Sequence, residues 1–335
     1  MKIGVVGCGA LGSFYGARFW RAGHDVHFLL RSDYAVVRER GVLIESDEGG
    51  FIARPRTAQQ PGEIGVCELV LIGLKTTANS EFPRLLPPLV GPDTQVLSLQ
   101  NGLGNEAAIA RIIPVTQILG GLCFVCLNRL APGRVRHLGR GHVLIGEYQR
   151  PPSARTRALA ELFAAAGVDC AVSDDLEKAH WEKLVWNIPF NGLGVAGIAG
   201  QEAMEHGEVP AVLPRRDCLA TDELLRDARW TELVRGLMLE VIHAAAMHGH
   251  VIPETLADKM IERTRALGAY RASTLVDFER GLPLELEGLF FAPLRQAQSA
   301  GASTPQLNRL CAVLEELDRR RASVAGGCGG LRGAS

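Results

Sequence analysis

The sequence predicts an α/β domain built on a parallel sheet, followed by an all-helical domain. Up to about residue 172, short apolar runs typical of strands alternate with amphipathic stretches typical of helices. After that point nearly every stretch has a helical pattern, and 335 residues are too many for one ordinary compact domain. We therefore predict one domain over residues 1–172, a second over 173–320, and a disordered Gly- and Ser-rich tail over 321–335.

The first half contains apolar runs that predict strands at residues 3–6, 25–30, 69–73, 96–99 and 117–124. Helical patterns lie between them, including residues 11–22 and 105–112. Strand–helix alternation with apolar strands indicates a parallel sheet that is covered on both faces. The stretch APGRVRHLGRGHVLIGE, residues 131–147, predicts a hairpin or meander that closes this sheet.

The second half opens with a helix start signal, in which Ser173, Asp174 and Asp175 precede an apolar periodic run. Further helical patterns cover residues 221–248, 254–267, 271–280, 285–300 and 305–320. A helical domain of this length lies within the ordinary range of domain sizes.

Composition narrows the class of protein. The formal net charge is −1 and there is no long basic run, which argues against nucleic acid or an anionic membrane as the main partner. No window reaches the roughly 18 apolar residues of a membrane span, and the first residues read as a strand rather than as a secretory signal. We expect a cytoplasmic protein that binds a small molecule, and the long apolar helices leave room for a homodimer.

Cysteines and histidines give no indication of a metal site. The eight cysteines are scattered, which suggests reduced thiols. Cys123 and Cys126 form a C-x-x-C without a second pair, and we interpret them as buried apolar side chains. The stretch HAAAMHGH lacks the His pair and the Glu of a zinc-protease helix.

The stretch KIGVVGCGALG places glycines in a G-x-G-x-x-G pattern directly after one predicted strand and at the start of a helix. In a Rossmann-type βαβ unit, the first glycine permits a tight turn, the second lets backbone approach a pyrophosphate, and the third packs helix on strand. The helix N-terminus supplies N–H groups and a positive dipole to the phosphates. These observations predict a dinucleotide site at Gly7, Cys8, Gly9, Ala10, Leu11 and Gly12.

The end of the second strand decides which dinucleotide binds. An NAD site usually carries an acidic residue there for the ribose 2′-hydroxyl, whereas this chain has Arg31 and Ser32. A guanidinium suits a 2′-phosphate, so we predict NADPH/NADP+. In the alternative, Arg31 is a solvated surface residue and Asp33 takes the hydroxyl.

Two loops after later strands carry Lys75 and Asn101, in IGLKTTAN and SLQNGLGN. Ligands of open α/β sheets lie outside the carboxyl ends of strands, which favours a functional role for both residues. Farther along, Lys183, Asn187 and Asn191 recur every four residues in HWEKLVWNIPFN and so share one helix face. Such a stripe, seen alone, is more typical of a solvent-facing edge.

Several motifs taken in order resemble the ketopantoate reductases (2-dehydropantoate 2-reductases): GCGALG, LLRSD, LK after a strand, QNGLG, PGRVRHLGRG, WEKLVWNIPFN and STLVDFERGLPLELE. The resemblance extends from residue 1 to about residue 310. It implies a C-terminal domain similar to that of 6-phosphogluconate dehydrogenase. It also implies NADPH-dependent reduction of ketopantoate to (R)-pantoate, on the route to pantothenate and coenzyme A.

The resemblance assigns roles to residues. It implies that Lys183 is the general acid, that Asn187 and Asn191 bind substrate, and that this face lines a cleft between the domains. It further implies that Ser273 and Glu285, twelve residues apart, contact substrate and cofactor, and that Glu285 takes part in catalysis. Lys75 and Asn101 match motif positions in the cofactor cleft, where Asn101 also reaches the substrate.

Two departures from the family pattern lie on the substrate side. After Asn191 the family commonly continues with Pro-Leu-Thr/Ser and a further polar contact, whereas this chain reads GLGVAGIAGQE, with Gln201 as a possible replacement. Phe290 and Phe291 stand where a smaller residue, often glycine, is expected. The alternatives are therefore a related 2-oxoacid or ketone reductase with an altered pocket, or a non-catalytic regulator that senses NADPH.

Overall fold

The computed structural model describes residues 1–47 and 49–327. The chain forms two compact units, Met1–Ala179 and a second unit from His180 onward. The boundary between them falls inside one long helix, Leu176–Ala196.

A single sheet organises the first unit, and the described residues contribute ten strands to it. In chain order these are β1 Lys2–Val6, β2 Asp25–Leu29, β3 Val42–Ser46, β4 Phe51–Ala53, β5 Arg56–Ala58, β6 Cys67–Ile72, β7 Val90–Ser98, β8 Ile118–Ala131, β9 Arg134–Glu147 and β10 Asp169–Val172. Their spatial order is β4-β3-β9-β8-β7-β6-β1-β2-β5, with β10 paired to β9.

The predicted parallel sheet is confirmed for the strands from β8 to β5, which all pair in parallel. The predicted hairpin is also confirmed, because β8 and β9 are antiparallel and turn between Ala131 and Arg134. This hairpin does not close the sheet, since β3 pairs with β9 and β4 with β3 beyond it. The strands absent from the prediction are β3, β4, β5 and β10, which are short and lie at or near the margins of the sheet.

Apolar side chains cover both faces of the sheet. Along β1, Ile3 and Val5 belong to one buried cluster while Val6 belongs to another. Along β6, Leu69 and Leu71 join the first cluster while the residues between and after them, Val70 and Ile72, join the second. Alternation in a strand sends neighbours to opposite faces, so a strand that is apolar throughout is buried on both.

Helices pack around the sheet in the first unit and make up the described part of the second. The first unit contains α1 Ala10–Arg21, α2 Tyr34–Arg40, α3 Pro61–Ile64, α4 Phe82–Leu85, α5 Asn105–Ala110 and α6 Ala154–Ala165. The chain continues with α7 Leu176–Ala196, α8 Gln201–His206, α9 Thr221–Arg226, α10 Ala228–Met247, α11 Thr255–Arg265, α12 Ser273–Glu279, α13 Ala292–Ser299 and α14 Pro305–Gly327. A π-helical turn covers Glu287–Phe291, and short 3₁₀ turns cover Thr76–Glu81, Pro87–Leu89, Val115–Gln117 and Gly197–Ala199.

Two helix predictions differ from the structure. The helix predicted over residues 221–248 is two helices, because Asp227 adopts extended backbone and its Oδ1 accepts a hydrogen bond from the Trp230 N–H at 3.0 Å, which caps α10. Apolar periodicity continues across this break and does not reveal it. The last helix extends to Gly327, into the segment predicted as a disordered tail, and residues 328–335 of that tail lie outside the described residues.

No helix in the described part of the chain is long and apolar enough to cross a membrane. The cysteines described are free thiols, namely Cys8, Cys67, Cys123, Cys126, Cys170, Cys218 and Cys311. Cys123 is buried as predicted, but Cys126 is only half-buried because a register shift interrupts the β8–β9 pairing between residues 124 and 126.

A buried carboxylate joins the end of β9 to the start of α6. Glu147, which is 2% exposed, accepts hydrogen bonds from Thr156 Oγ1 at 2.6 Å and Ser153 Oγ at 3.0 Å, and it pairs with Arg150 and Arg155. Burial alone raises the pKa of Glu147, but the bonds from Arg155, Thr156 and Ser153 outweigh it and lower this pKa to about 2, from an ordinary value of 4.5.

Glu147→Gln should therefore destabilise the protein at neutral pH. A carboxyl group with a depressed folded-state pKa contributes stability above its unfolded pKa and loses it as the pH falls, here between about 4.5 and 2. We expect a loss of about 2–4 kcal/mol at pH 7, which shrinks as the pH is lowered through this window. Urea unfolding followed by circular dichroism at several pH values measures it, and Glu161→Gln on the exposed side of α6 is the control. An equal effect of both variants would contradict the assignment.

Candidate active site

The loop after β1 packs backbone to backbone on the loop after β6. Gly7 has φ +94°, and a Cβ added there would lie 2.3 Å from the Leu74 nitrogen. A Cβ at Gly12 would lie 2.2 Å from the Gly7 carbonyl oxygen, and one at Gly73 would lie 3.0 Å from the Gly12 Cα. Gly7 and Gly12 therefore admit only glycine and Gly73 leaves little room for more, which holds the start of α1 beside the segment that leads to Lys75.

The space next to Gly9 is open. A Cβ at Gly9 would meet no atom within 4 Å. No side chain caps the N-terminus of α1, and its first turn carries no acidic residue. Its N–H groups and positive dipole are therefore suited to the pyrophosphate of a dinucleotide. Ala10 and Leu11 form the first turn and are half-buried.

Cys8 contributes backbone to this loop and turns its thiol inward. Its Sγ lies 3.5 Å from the Val5 carbonyl oxygen and 3.6 Å from that of Leu29. Burial raises the pKa of this thiol, and the Asp33 carboxylate raises it further. The side chain is a neutral packing group, so only main-chain atoms of Cys8 can face a cofactor.

The end of β2 leaves Arg31 exposed, whereas Asp33 is buried and already bonded. The Asp33 carboxylate accepts hydrogen bonds from Arg129 Nη2 at 2.5 Å and Arg129 Nε at 3.2 Å. It also accepts from the Gly133 N–H at 3.3 Å and from Ser32 Oγ at 2.9 Å. The alternative in which Asp33 binds a ribose hydroxyl would require breaking these bonds.

A chain of side-chain amides links the loops that carry Lys75 and Asn101. Gln100 Nε2 donates to Asn79 Oδ1 at 2.8 Å, Asn79 Nδ2 donates to Asn105 Oδ1 at 3.0 Å, and Asn105 Nδ2 donates to the Asn101 carbonyl at 3.0 Å. Gln100 and Asn105 are buried. Sequence reasoning missed these three amides, although KTTAN and QNGLGN contain them, because nothing in the sequence indicates that the two loops meet.

In the second unit, the stripe on α7 is buried at its asparagines. Asn187 is 8% exposed, Asn191 is 3% exposed, and Lys183 is half-buried. The stripe is therefore not a solvent-facing edge. Trp186, on an adjoining face, donates from Nε1 to Thr264 Oγ1 at 2.9 Å, which ties α7 to α11.

The structure brings Asn191 and Ser273 together at the start of α12. Asn191 Oδ1 accepts from the Thr274 N–H at 3.0 Å and from Ser273 Oγ at 3.4 Å, so this side chain caps α12. Glu285 is half-buried and lies two residues before the π-helical turn Glu287–Phe291. Such turns are rare and occur frequently at functional sites.

One residue from each departure on the substrate side, Gly192 and Phe290, packs against the other. A Cβ at Gly192 would lie 2.9 Å from Phe290 Cε1 and 2.6 Å from Leu310 Cδ2. Phe290 is fully buried, so a larger residue in one helix occupies space left by a smaller residue in another. Gly194 and Gly197 are likewise in contact with Leu275 and Leu219. The glycines after Asn191 thus serve core packing.

Gln201, the suggested replacement for the missing polar contact, is bonded within the second unit. Its Nε2 donates to Asp227 Oδ1 at 2.9 Å, at the cap of α10. The histidines of HAAAMHGH are also engaged in part, because His243 pairs with Glu254 and His248 meets the Gln296 carbonyl. Across the residues that the structure describes, no group of three or more His, Cys, Asp or Glu side chains could hold a metal ion.

Comparison with known proteins identifies the family. The family described as "Ketopantoate reductase PanE/ApbA" matches residues 3–150, and "Ketopantoate reductase PanE/ApbA C terminal" matches residues 217–318. A 2-dehydropantoate 2-reductase from Nostoc sp. is 40% identical over 325 residues, which cover 95% of this chain and 96% of that protein. The chain belongs to the ketopantoate reductase family.

Solved structures agree with this assignment. The 2-dehydropantoate 2-reductase of Geobacter metallireducens is 42% identical with a TM-score of 0.85, covering 94% of this chain and 99% of that one. That of Methylococcus capsulatus is 30% identical with a TM-score of 0.83, covering 96% and 98%. A D-mandelate dehydrogenase solved with NADH has a TM-score of 0.83 at 19% identity over 96% of this chain and 99% of that one, which shows the fold alone. Ketopantoate reductases are NADP-dependent oxidoreductases, and the residues at the end of β2 fit that cofactor.

Glycine substitutions separate cofactor binding from folding. Gly9→Ala should leave thermal stability nearly unchanged, because its Cβ meets no protein atom, yet weaken NADPH binding about tenfold or more by filling the phosphate space. Gly12→Ala should lower the melting temperature, because its Cβ would overlap the Gly7 carbonyl.

Fluorescence titration with NADPH and a thermal melt measure the two effects. Gly62→Ala is the control, because a Cβ there also meets open space but belongs to α3 rather than to the loop. Normal NADPH affinity in Gly9→Ala would contradict the pyrophosphate site.

Proposed function

We propose that this chain reduces ketopantoate to (R)-pantoate with NADPH, within pantothenate and coenzyme A biosynthesis. The observation that carries the proposal is the stripe on α7, where Lys183 precedes two buried asparagines and Asn191 is bonded at Ser273. A soluble scaffold has no need to bury two amides at one-turn intervals beside a lysine, because burial of polar groups is costly. The relatives matched over nearly their whole length are named 2-dehydropantoate 2-reductase.

In the proposed reduction of the ketone, Lys183 and Glu285 have different roles. When bound, NADPH supplies a hydride to the ketone carbon, and negative charge then develops on the ketone oxygen. Lys183 lies on the polar face of α7 and donates a proton to that oxygen. Glu285 contacts substrate and cofactor and balances the charge of the lysine.

The hydrogen bonds of the asparagines limit which of their atoms can bind the substrate. Asn191 Oδ1 already accepts from the Thr274 N–H, so its Nδ2 is the group that donates to a substrate oxygen. Asn187 binds the substrate from the preceding turn, and Ser273 adds a hydroxyl. Substrate hydroxyl and carboxylate groups suit such donors, and neutral amides orient the substrate without altering the net charge around Lys183.

In the first unit, we assign the pyrophosphate to residues 7–12 and the 2′-phosphate to Arg31. Lys75 and Asn101 contact the cofactor, and Asn101 also reaches the substrate, from loops that the amide chain holds in place. The proposal includes a cytoplasmic location, which the free thiols fit, and a homodimer, which light scattering would measure.

Two other functions make different predictions. The first alternative, a related 2-oxoacid reductase with an altered pocket, has less support because Gly192 and Phe290 pack against each other. A regulator that senses NADPH would need neither Lys183 nor Glu285. The deciding experiment follows NADPH oxidation by its nicotinamide absorbance with ketopantoate and a panel of other 2-oxoacids. Efficient turnover confined to ketopantoate supports the proposal, preference for another 2-oxoacid redirects it, and tight NADPH binding without turnover of any of them favours the regulator.

Lys183→Ala should lose turnover and keep cofactor binding. Removal of a general acid costs about 10²–10⁴-fold in kcat, whereas the Kd for NADPH should stay within about twofold. Steady-state kinetics and fluorescence titration measure these quantities. The matched control is Lys259→Ala, since this lysine is exposed on α11. Normal turnover in Lys183→Ala would remove the assigned role.

Arg31→Asp should shift preference towards NADH. It removes a charge-assisted contact to the 2′-phosphate, worth about 1.5–3 kcal/mol or roughly 10–100-fold in affinity, and adds repulsion. The measurement is the ratio of kcat/KM for NADPH to that for NADH, with Arg40→Asp at the exposed end of α2 as the control. An unchanged ratio would show that Arg31 does not read the phosphate.

A further inference from the structure

Asp33 lies two residues beyond Arg31, at a place where an acidic side chain could decide the choice of dinucleotide. Its carboxylate is turned into the first unit and is 6% exposed. Arg129 on β8 binds both of its oxygens, at 2.5 and 3.2 Å, and the Gly133 N–H in the hairpin turn lies 3.3 Å from Oδ2. The partners come from about a hundred residues later in the chain.

An unpaired carboxylate at this position would act against NADPH in two ways. It would repel the 2′-phosphate and compete for the Arg31 guanidinium. It would also offer the acceptor that NAD sites use for the ribose 2′-hydroxyl. The fold itself does not exclude such a site, because the D-mandelate dehydrogenase with the same fold was solved with NADH.

We propose that Arg129 is a positioning residue for cofactor selectivity, which holds Asp33 neutralised and turned away so that Arg31 serves the 2′-phosphate. This inference rests on the proposed role of Arg31. It assigns a selectivity function to a residue outside the nucleotide-binding motif, on a strand four positions away from β2 in the sheet order.

The hairpin has contacts of its own besides this pair. The strands β8 and β9 are paired through Arg129↔Val135 and Ala131↔Arg134, with a register shift between them, and the Gly133 carbonyl accepts from the Leu43 N–H at 2.8 Å. The Asp33 side chain is only 8% exposed, so removing Arg129 leaves a buried carboxylate without its main partner, two residues from Arg31. Measurements on the double variant separate the effect of this charge on NADPH binding from its effect on stability.

The test measures Kd for NADPH and NADH by fluorescence titration without substrate, in the wild type and in Arg129→Leu, Asp33→Asn and the double variant. We expect Arg129→Leu to weaken NADPH binding about tenfold and to leave NADH binding equal or tighter. Asp33→Asn alone should stay near the wild type. The double variant should recover most of the NADPH affinity, because the charge that Arg129 neutralised is gone.

Recovery of NADPH affinity in the double variant distinguishes a role of Arg129 in cofactor selectivity from a purely structural role. If Arg129 only braces the hairpin, the double variant binds NADPH as weakly as Arg129→Leu, and the inference is overturned. Unchanged affinities in Arg129→Leu overturn it as well. If the wild-type protein shows no preference for NADPH over NADH, the proposed role of Arg31 is wrong as well. Turnover of ketopantoate by that same protein would still support the proposed reaction.

Arg134→Leu on the same hairpin is the control, since Arg134 pairs with Glu45 on exposed surface, and it should change neither Kd. Thermal melts report whether each variant folds. Arg129→Gln, which also removes the charge, replaces Arg129→Leu if the latter fails to fold, with the same expected loss and the same recovery.

Discussion

Backbone-to-backbone packing between the loops after β1 and β6 is the constraint on which the proposed cofactor site depends. A Cβ at Gly7 or Gly12 would come within 2.3 Å of main-chain atoms, so the two loops can meet only where side chains are absent. Their contact fixes the N-terminus of α1 next to the segment leading to Lys75. The amide chain from Gln100 to Asn105 then extends this order to the loop after β7. The absence of side chains at the glycines lets the loops meet, and the amide hydrogen bonds then hold the neighbouring loop in place.

One side chain, Asn191, holds part of the second unit together and is proposed to bind the substrate as well. It caps α12 through Oδ1, which leaves Nδ2 as the donor in the proposed function. A residue with both duties is restrained by the fold before any ligand arrives, which lowers the entropy lost on binding. Asn187 lies one turn earlier in the same helix and is also buried.

Packing in the helical unit shows how two departures from a family pattern can compensate each other in volume. Gly192 and Phe290 each depart from the pattern, and each would be destabilising alone, one as a cavity and the other as overpacking. Together they fill the same space, with Leu310 against both. The sequence presents them as two unrelated anomalies about a hundred residues apart, and only contact in three dimensions shows that they are one adjustment.

The sequence by itself determined the fold class, the parallel strands β1, β2, β6, β7 and β8, the hairpin and the glycine turn after β1, because these depend on local periodicity and on turn residues at fixed spacing. The resemblance of its motifs also indicated the family. Only the tertiary structure decided that Asp33 is held by Arg129, that three amides join two loops, and that the stripe on α7 is buried. Each of these is a contact or an exposure set by distant parts of the chain, and no local pattern encodes which distant residue will arrive. The break at Asp227 was missed for a local reason, because the cap formed with Trp230 leaves the apolar spacing unchanged across it.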